Sequence, residues 1–363
     1  MFKALLLVLI LSLSGRELKA AEEDNWQILI SQVPQQYFLP ISVEQNVVWL
    51  TKSLKALDEN LTVADDDDKI TLYYKGKVVK SLYKPEDRNN IDKWVELSGE
   101  LLNTALNKSA IAAKHDFEVF DLMMAYYVKN LDKDSKYYSS INEMNRVLHQ
   151  VNFASDVEDG YLWIRVGLFN KYTKEEIVKA IEKYVDVKGV ILDLRASTGG
   201  ELGTAIEVAD LFLEDGIVVS VIGRNKKEIT YYNSKDGDIA ENLPMAVLVD
   251  GDTASAAEVL VAALQEQGRA KVIGTKTFGK GTIQNLIKLT NGGVLAVSNA
   301  NFYTPSGRLI ADKAIIPDIC TFEMPVTKDV LRLIKINNVA DCMPESRIDS
   351  DLEIKVAKEL LKI

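Results

Sequence analysis

The stretch FGKGTIQ, Phe278 to Gln284, sets a lysine between two glycines inside a run that otherwise reads as buried strand. A lysine in such a place is usually a solvated residue on a glycine turn. Its company changes that reading. Twenty-five positions upstream, Ser255 opens a helical pattern that runs to about Gln267, with small residues at Ala254, Ala256 and Ala257. A serine hydroxyl next to a proton acceptor is a nucleophile for acyl transfer, and small neighbours suit one that must admit a bulky substrate. The only histidines, His115 and His149, precede the region that holds Ser255, which disfavours a Ser-His-Asp triad. Lys280 can replace histidine if burial lowers its pKa from about 10.4 toward 7, a shift that costs on the order of 4 to 5 kcal/mol. Glycines on both sides permit the close approach such burial needs. Gln284, four residues on and expected on the same strand face, is placed to orient the neutral amine.

A plainer reading of Ser255 stands beside this one. Ser255 and Glu258 have the spacing of a capping box, so the serine could be an N-cap and nothing more. Asp252 and Thr253 are alternative caps, and the residue pattern alone leaves the two readings level.

The elements that must position these residues form an α/β pattern from about Gly160 onward. YLWIRVGLF reads as a strand, and the helix after it carries Thr173 and Glu176 at capping-box spacing. GVILDLR is a continuous apolar run ending in charge, as expected of a central strand buried on both faces. Further strands are expected at IVVSVIG, ITYYN, MAVLVD, AKVIG and GVLAVSNANFYT, and DLEIKVAKELLK reads as an amphipathic helix. Binding groups in such sheets collect just past the carboxyl ends of the strands. GVILDLR leads to ASTGG, where Gly199 and Gly200 let backbone N–H groups approach a ligand, and MAVLVD leads to the segment of Ser255.

From Trp26 to about Asn130 the periodicity is mostly helical, interrupted by strand-like runs around Asp65–Asp68. The four carboxylates read first as a solvated turn and second as a cation site. A net charge of -10 without clustered Lys or Arg argues against a nucleic-acid partner. Lys3, the apolar run Ala4 to about Leu13 and the small residues Ala20 and Ala21 have the layout of a secretory signal peptide, with a retained anchor as the alternative. No cysteine offers a lipid-attachment point there. Export makes a disulfide between the only two cysteines, Cys320 and Cys342, the expected state, against two buried thiols.

Taken in order, GVILDLRASTGG, DTASAAEVLVAALQEQGRAKVIGTKTFGKGTIQ, FYTPSGRLI and IIPDI resemble the C-terminal processing peptidases, the tail-specific serine proteases with a Ser-Lys dyad. The resemblance covers about Gly160 to Ile319, and LDKDSKYYS and the terminal helix more weakly. It implies a crotonase-like or ClpP-like α/β core, with Ser255 as nucleophile, Lys280 as general base and Gln284 positioning the lysine. It also implies an oxyanion hole from the N–H of Ala256 and of Gly199 or Gly200, protein or peptide substrates, and no metal or organic cofactor. TPSG reads independently as a β-turn, with Arg308 after it structural.

Three departures from the family pattern stand out. Ser197-Thr198-Gly199-Gly200 replaces the usual Asn-Pro-Gly-Gly, and Ala257 replaces a common serine. The family's usual PDZ domain has no room between Ser140 and Tyr161, about twenty residues. Either the catalytic groups are preassembled, the reading preferred here, or an adaptor or regulatory protein supplies docking. The expected organisation is a signal peptide over 1–20, a mostly helical N-terminal domain with a hairpin over 21–155, the α/β peptidase core over 156–320 and a C-terminal helical segment over 321–363. The rivals to an exported endopeptidase are a non-catalytic peptide-binding scaffold that keeps the fold, and an acyl-CoA enzyme, which export disfavours.

Overall fold

A computed structural model describes residues 20–112, 119–148, 153–184, 186–235, 237–240, 243–324, 339–340, 342–348 and 350–362. The signal-peptide stretch up to residue 19, together with His115 and His149, lies outside the described residues. The chain divides into two compact units: Met1–Met144 with Gln284–Asn299, and Asn145–Ile283 with Ala300–Ile363. Compared with the expected boundaries, Gln284–Asn299 groups with the N-terminal residues and the C-terminal segment groups with the α/β core.

The first unit contains α1 (Ala20–Gln36), α2 (Val43–Lys52), β1 (Leu61–Asp65), β2 (Lys69–Tyr74), β3 (Lys77–Tyr83), α3 (Ile91–Lys108), α4 (Val119–Tyr127) and β4 (Lys136–Tyr138). Ser42 and Asn90 start α2 and α3 by accepting the N–H of Gln45 and Lys93, the usual N-cap arrangement. The helical periodicity of α3 turns Trp94, Leu97, Leu101, Leu102 and Ala105 into the core. Tyr127 and Asn46 share a buried hydrogen bond of 2.5 Å, and the Asn46 amide donates to the Leu29 carbonyl at 3.0 Å. The strand-like runs form the antiparallel sheet β1-β2-β3. In the acidic turn Asp66 accepts the N–H of Asp68 and of Lys69, while Asp65 pairs with Lys84 at 2.8 Å, so two of the four carboxylates have structural work.

The helix α5 (Ile141–Leu148) leads to the second unit. This unit contains β5 (Phe153–Glu158), β6 (Tyr161–Val166), α6 (Thr173–Lys183), β7 (Gly189–Asp193), α7 (Leu202–Asp210), β8 (Gly216–Ile222), β9 (Ile229–Ser234), β10 (Met245–Val249), α8 (Ala256–Glu266) and β11 (Lys271–Gly274). The strands β12 (Thr282–Lys288) and β13 (Val294–Tyr303) cross the division, and α9 (Ile310–Lys313), β14 (Ile319–Cys320) and α10 (Leu352–Leu360) complete the order. In the first unit Val294–Ala296 pair antiparallel with β4; in the second, Asn301–Tyr303 pair antiparallel with β8.

The main sheet of the second unit has the order β14-β11-β10-β7-β6-β5, with every pair parallel except β5–β6. Every residue of β7 and β10 is buried, as continuous apolar runs require when both faces are covered. Period-two alternation then sorts them. Val190, Leu192, Val247 and Val249 join the core that holds α7 and α8, whereas Ile191, Ala246 and Leu248 meet Leu352, Val356 and Ala357 of α10.

The start of α6 differs from expectation. Its N-cap is Tyr172, and Thr173 is already helical, because the Thr173 hydroxyl accepts the Asn170 N–H at 3.0 Å. The Glu176 N–H goes to the Tyr172 carbonyl at 3.0 Å, so no capping box forms.

Candidate active site

Because β7 and β10 run parallel side by side, with Val190 paired to Met245, the loops at their carboxyl ends emerge together. Thr253, fully buried, fastens them. Its hydroxyl donates to the Leu194 carbonyl at 2.8 Å and accepts the Asp250 N–H at 2.9 Å, which removes Thr253 as a helix cap. The Ala254 N–H reaches the Ser197 carbonyl at 2.9 Å, and the Phe278 N–H reaches the Thr253 carbonyl at 3.0 Å.

This stitching brings Gly199 against the serine. A Cβ on Gly199 would lie 2.8 Å from Ser255 Cβ, 2.8 Å from the Ala256 nitrogen and 2.7 Å from the Ala254 carbonyl oxygen. With φ at +91°, Gly199 therefore needs to be glycine twice over. Its own carbonyl accepts the Phe169 N–H at 2.7 Å. No hydrogen bond among the described residues uses the N–H of Gly199, Gly200 or Ala256.

Ser255 sits immediately before α8 with φ +58° and ψ −125°. Ser255 and Glu258 form the capping box that their spacing predicts, but an ordinary N-cap is extended and Ser255 is not; its conformation carries strain of order 1–3 kcal/mol, of the kind found at functional sites. Ser255 is half-buried, while Ala256 and Ala257 are fully buried in the core. The small residues thus let the start of α8 pack closely, rather than keeping space open around the hydroxyl.

Glu258 is more than half of a capping box. Its carboxylate is fully buried and accepts four hydrogen bonds: Oε1 from the Thr277 hydroxyl at 2.5 Å and the Gly279 N–H at 2.7 Å, Oε2 from the Lys280 N–H at 2.8 Å and the Ser255 N–H at 2.9 Å. One side chain therefore ties the backbone of the serine to the backbone of the lysine. Burial pushes its pKa above the ordinary carboxyl value, and the hydrogen bonds from Thr277, Gly279, Ser255 and Lys280 oppose that rise. The Thr277 hydroxyl also accepts the Ile315 N–H at 2.8 Å, fixing the loop from its far side.

Lys280 is half-buried and precedes β12, so it does not share a strand face with Gln284 as the i, i+4 argument required. A Cβ on Gly281 would fall 2.2 Å from the Ala311 nitrogen, so this neighbour of Lys280 must be glycine to keep the loop close to α9. Gln284 belongs to the first unit, where its Nε2 donates to the Asp134 carbonyl. The same unit holds the LDKDSKYYS segment: Asp132 accepts the Ser135 hydroxyl at 2.7 Å and the Ser298 hydroxyl at 3.0 Å.

The Thr304–Gly307 turn closes with the Gly307 N–H on the Thr304 carbonyl at 2.8 Å, and Arg308 pairs with Glu266 and donates to the Ala314 carbonyl at 2.7 Å. Cys320 and Cys342 are joined as a disulfide with Cα atoms 5.9 Å apart.

Glu258 is the site residue that sequence reasoning undervalued. The spacing from Ser255 was visible; the two N–H donors of the lysine loop, more than twenty positions away, carry no local signal.

Residues 160–321 match peptidase family S41. A carboxy-terminal-processing protease of Bartonella bacilliformis is 39% identical over 175 residues, 47% of this chain and 40% of that protein. The carboxyl-terminal-processing peptidase 2, chloroplastic, of Arabidopsis thaliana is 35% identical over 158 residues, 43% of this chain and 31% of the relative. The chain thus spans less than half the length of either. A solved lipoprotein from Streptococcus agalactiae superposes with a TM-score of 0.53 at 16% identity, over 87% of this chain and 95% of that one, a likeness of fold.

Proposed function

From the match of residues 160–321 to peptidase family S41, we propose that this chain is an exported serine endopeptidase that cuts protein or peptide substrates through an acyl-enzyme on Ser255. The observation that carries this reading is the Glu258 carboxylate, which holds the Ser255 and Lys280 backbones in register. A residue that served only as a helix cap would have no need of the lysine loop.

In the reaction the Ser255 hydroxyl attacks the scissile carbonyl while the neutral Lys280 amine takes its proton. The oxyanion that forms is met by the N–H of Ala256 and of Gly199 or Gly200, and the positive end of α8 adds to the field there. The resulting Lys280 ammonium returns the proton to the departing amine, which leaves the acyl-enzyme. Water then repeats the cycle with Lys280 again as base.

Two further parts of the proposal concern the cell and the substrate. The Cys320–Cys342 disulfide favours an oxidising compartment, in agreement with the signal-peptide layout of the first twenty residues. Between β4 and β6 the described chain is α5 and β5, which supports substrate recognition without a PDZ domain at that place. The catalytic groups would then be preassembled, and any unfolded chain that reaches them would be cut without an adaptor.

The test is hydrolysis of a denatured protein by the full chain. Turnover that disappears in Ser255→Ala and in Lys280→Ala is the expected result. Wild-type protein that binds the denatured substrate without cutting it would favour the scaffold reading.

A further inference from the structure

The C-terminal segment contributes to the site in a way the Ser-Lys reading does not use. Asp250, at the carboxyl end of β10, is fully buried, and its carboxylate faces two directions. Oδ1 accepts the N–H of Ala196 at 2.9 Å, of Asp252 at 3.0 Å and of Thr253 at 3.1 Å. Oδ2 accepts the N–H of Arg347 at 3.0 Å. Ala196 has φ +53° and starts the turn that ends at Gly199, so Asp250 fixes the base of the loop that lies against Ser255.

The partner on Oδ2 belongs to a segment pinned at several points. The Glu345 carbonyl accepts the Gly251 N–H and the Thr275 hydroxyl, both at 2.7 Å. Cys342 is bonded to Cys320 of β14. Arg195, which forms a bidentate pair with Asp193 at 2.9 and 2.6 Å, donates to the Arg347 carbonyl at 3.0 Å. Arg347 and Arg195 both reach the fully buried Glu353, at 3.0 and 3.4 Å. The tail thus crosses the carboxyl ends of β7, β10 and β11, where the serine and oxyanion loops begin.

We propose that Asp250 is a positioning residue for the oxyanion loop, and that the disulfide-anchored tail completes its hold through the Arg347 N–H. The inference rests on Ser255 being the nucleophile. Asp250 touches no reacting atom; it keeps the Ala196–Gly200 turn in register with the serine, so its loss falls on the transition state and not on substrate binding.

Asp250→Asn separates the two directions of the carboxylate. The amide oxygen can keep the three loop donors, while the amide nitrogen faces the Arg347 N–H and cuts the link to the tail. With a denatured protein as substrate, kcat should fall on the order of 10- to 100-fold, KM should stay within about twofold, and affinity for a peptide boronic acid should fall in step with kcat. Arg347→Pro removes the same hydrogen bond from the other side, and the double variant should be hardly worse than either single. Arg347→Ala keeps the N–H and should retain more turnover than Arg347→Pro. Should a proline at 347 prevent folding, Cys320→Ser with Cys342→Ser supplies the second measurement, expected to lower kcat at constant KM. Wild-type kcat in Asp250→Asn, or a rise in KM with kcat unchanged, would overturn the inference while Ser255→Ala is inactive. Full turnover in Ser255→Ala would overturn the nucleophile assignment and the inference with it.

Discussion

Replacing Glu258 by glutamine tests whether its carboxylate holds the serine and lysine loops together. The native carboxylate is fully buried and accepts two hydrogen bonds on each oxygen. In Glu258→Gln one oxygen remains and an NH2 group faces two former donors. A buried donor left unsatisfied costs about 1–3 kcal/mol. If the NH2 faces Thr277 and Gly279, the Thr277 hydroxyl can turn to accept from it, which leaves chiefly one N–H without a partner. If it faces Ser255 and Lys280, two backbone donors are stranded. The expected loss of stability is therefore roughly 2–4 kcal/mol, measured by urea unfolding. A displacement of the serine or the lysine by about 1 Å should lower kcat on the order of 100-fold, measured where near-ultraviolet dichroism shows the variant folded. A folded variant with kcat within about threefold of wild type and stability within about 1 kcal/mol would refute the reasoning. Glu258→Ala strands all four donors and should be the less stable of the two.

Other outcomes are equally definite. Lys280→Ala should be as inactive as Ser255→Ala, with the double variant no worse than either, whereas Gln284→Ala should keep partial activity. Hydrolysis of a denatured substrate should barely change when its last few residues are altered; strong dependence on them would reinstate a reader of C-terminal tails. Removing the disulfide by Cys320→Ser with Cys342→Ser should cost about 3 kcal/mol by the chain-entropy estimate, read from urea unfolding. In the first unit, burial alone would raise the pKa of Asp58, but hydrogen bonds from Ser109 at 2.6 Å and from Asn60 outweigh it and hold the pKa below the ordinary value. The stability this supplies is present above about pH 4 and is lost as pH falls through the depressed folded value. Asp58→Asn should flatten that acid-side decline in a urea-melt series across pH.

How much of this was legible in the residues depended on whether the cause was local. β7 and β10 could be placed because a strand buried on both faces must be apolar throughout, and α10 because one face repeats at helical spacing. Ser255 could be placed at the start of a helix for the same reason. Its positive φ could not, since nothing in Ala-Ser-Ala announces it. The capping box at Thr173 was a local signal that a stronger local bond, from Asn170, displaced. The alternation that puts Gln284 four places after Lys280 was sound for a strand, but the strand begins at Thr282. The tail lay furthest from reach. Its bonds join backbone groups of residues 345 and 347 to positions 70 and 97 residues away, and a backbone C=O or N–H is the same in every residue type, proline's missing N–H excepted.

The most direct test of the central claim is covalent. The full chain, treated with a serine-reactive fluorophosphonate and digested for mass spectrometry, should carry its adduct on Ser255, and Lys280→Ala should label on the order of 100-fold more slowly. An adduct on another serine, or labelling of Ser255 that is as fast without Lys280, would contradict the account.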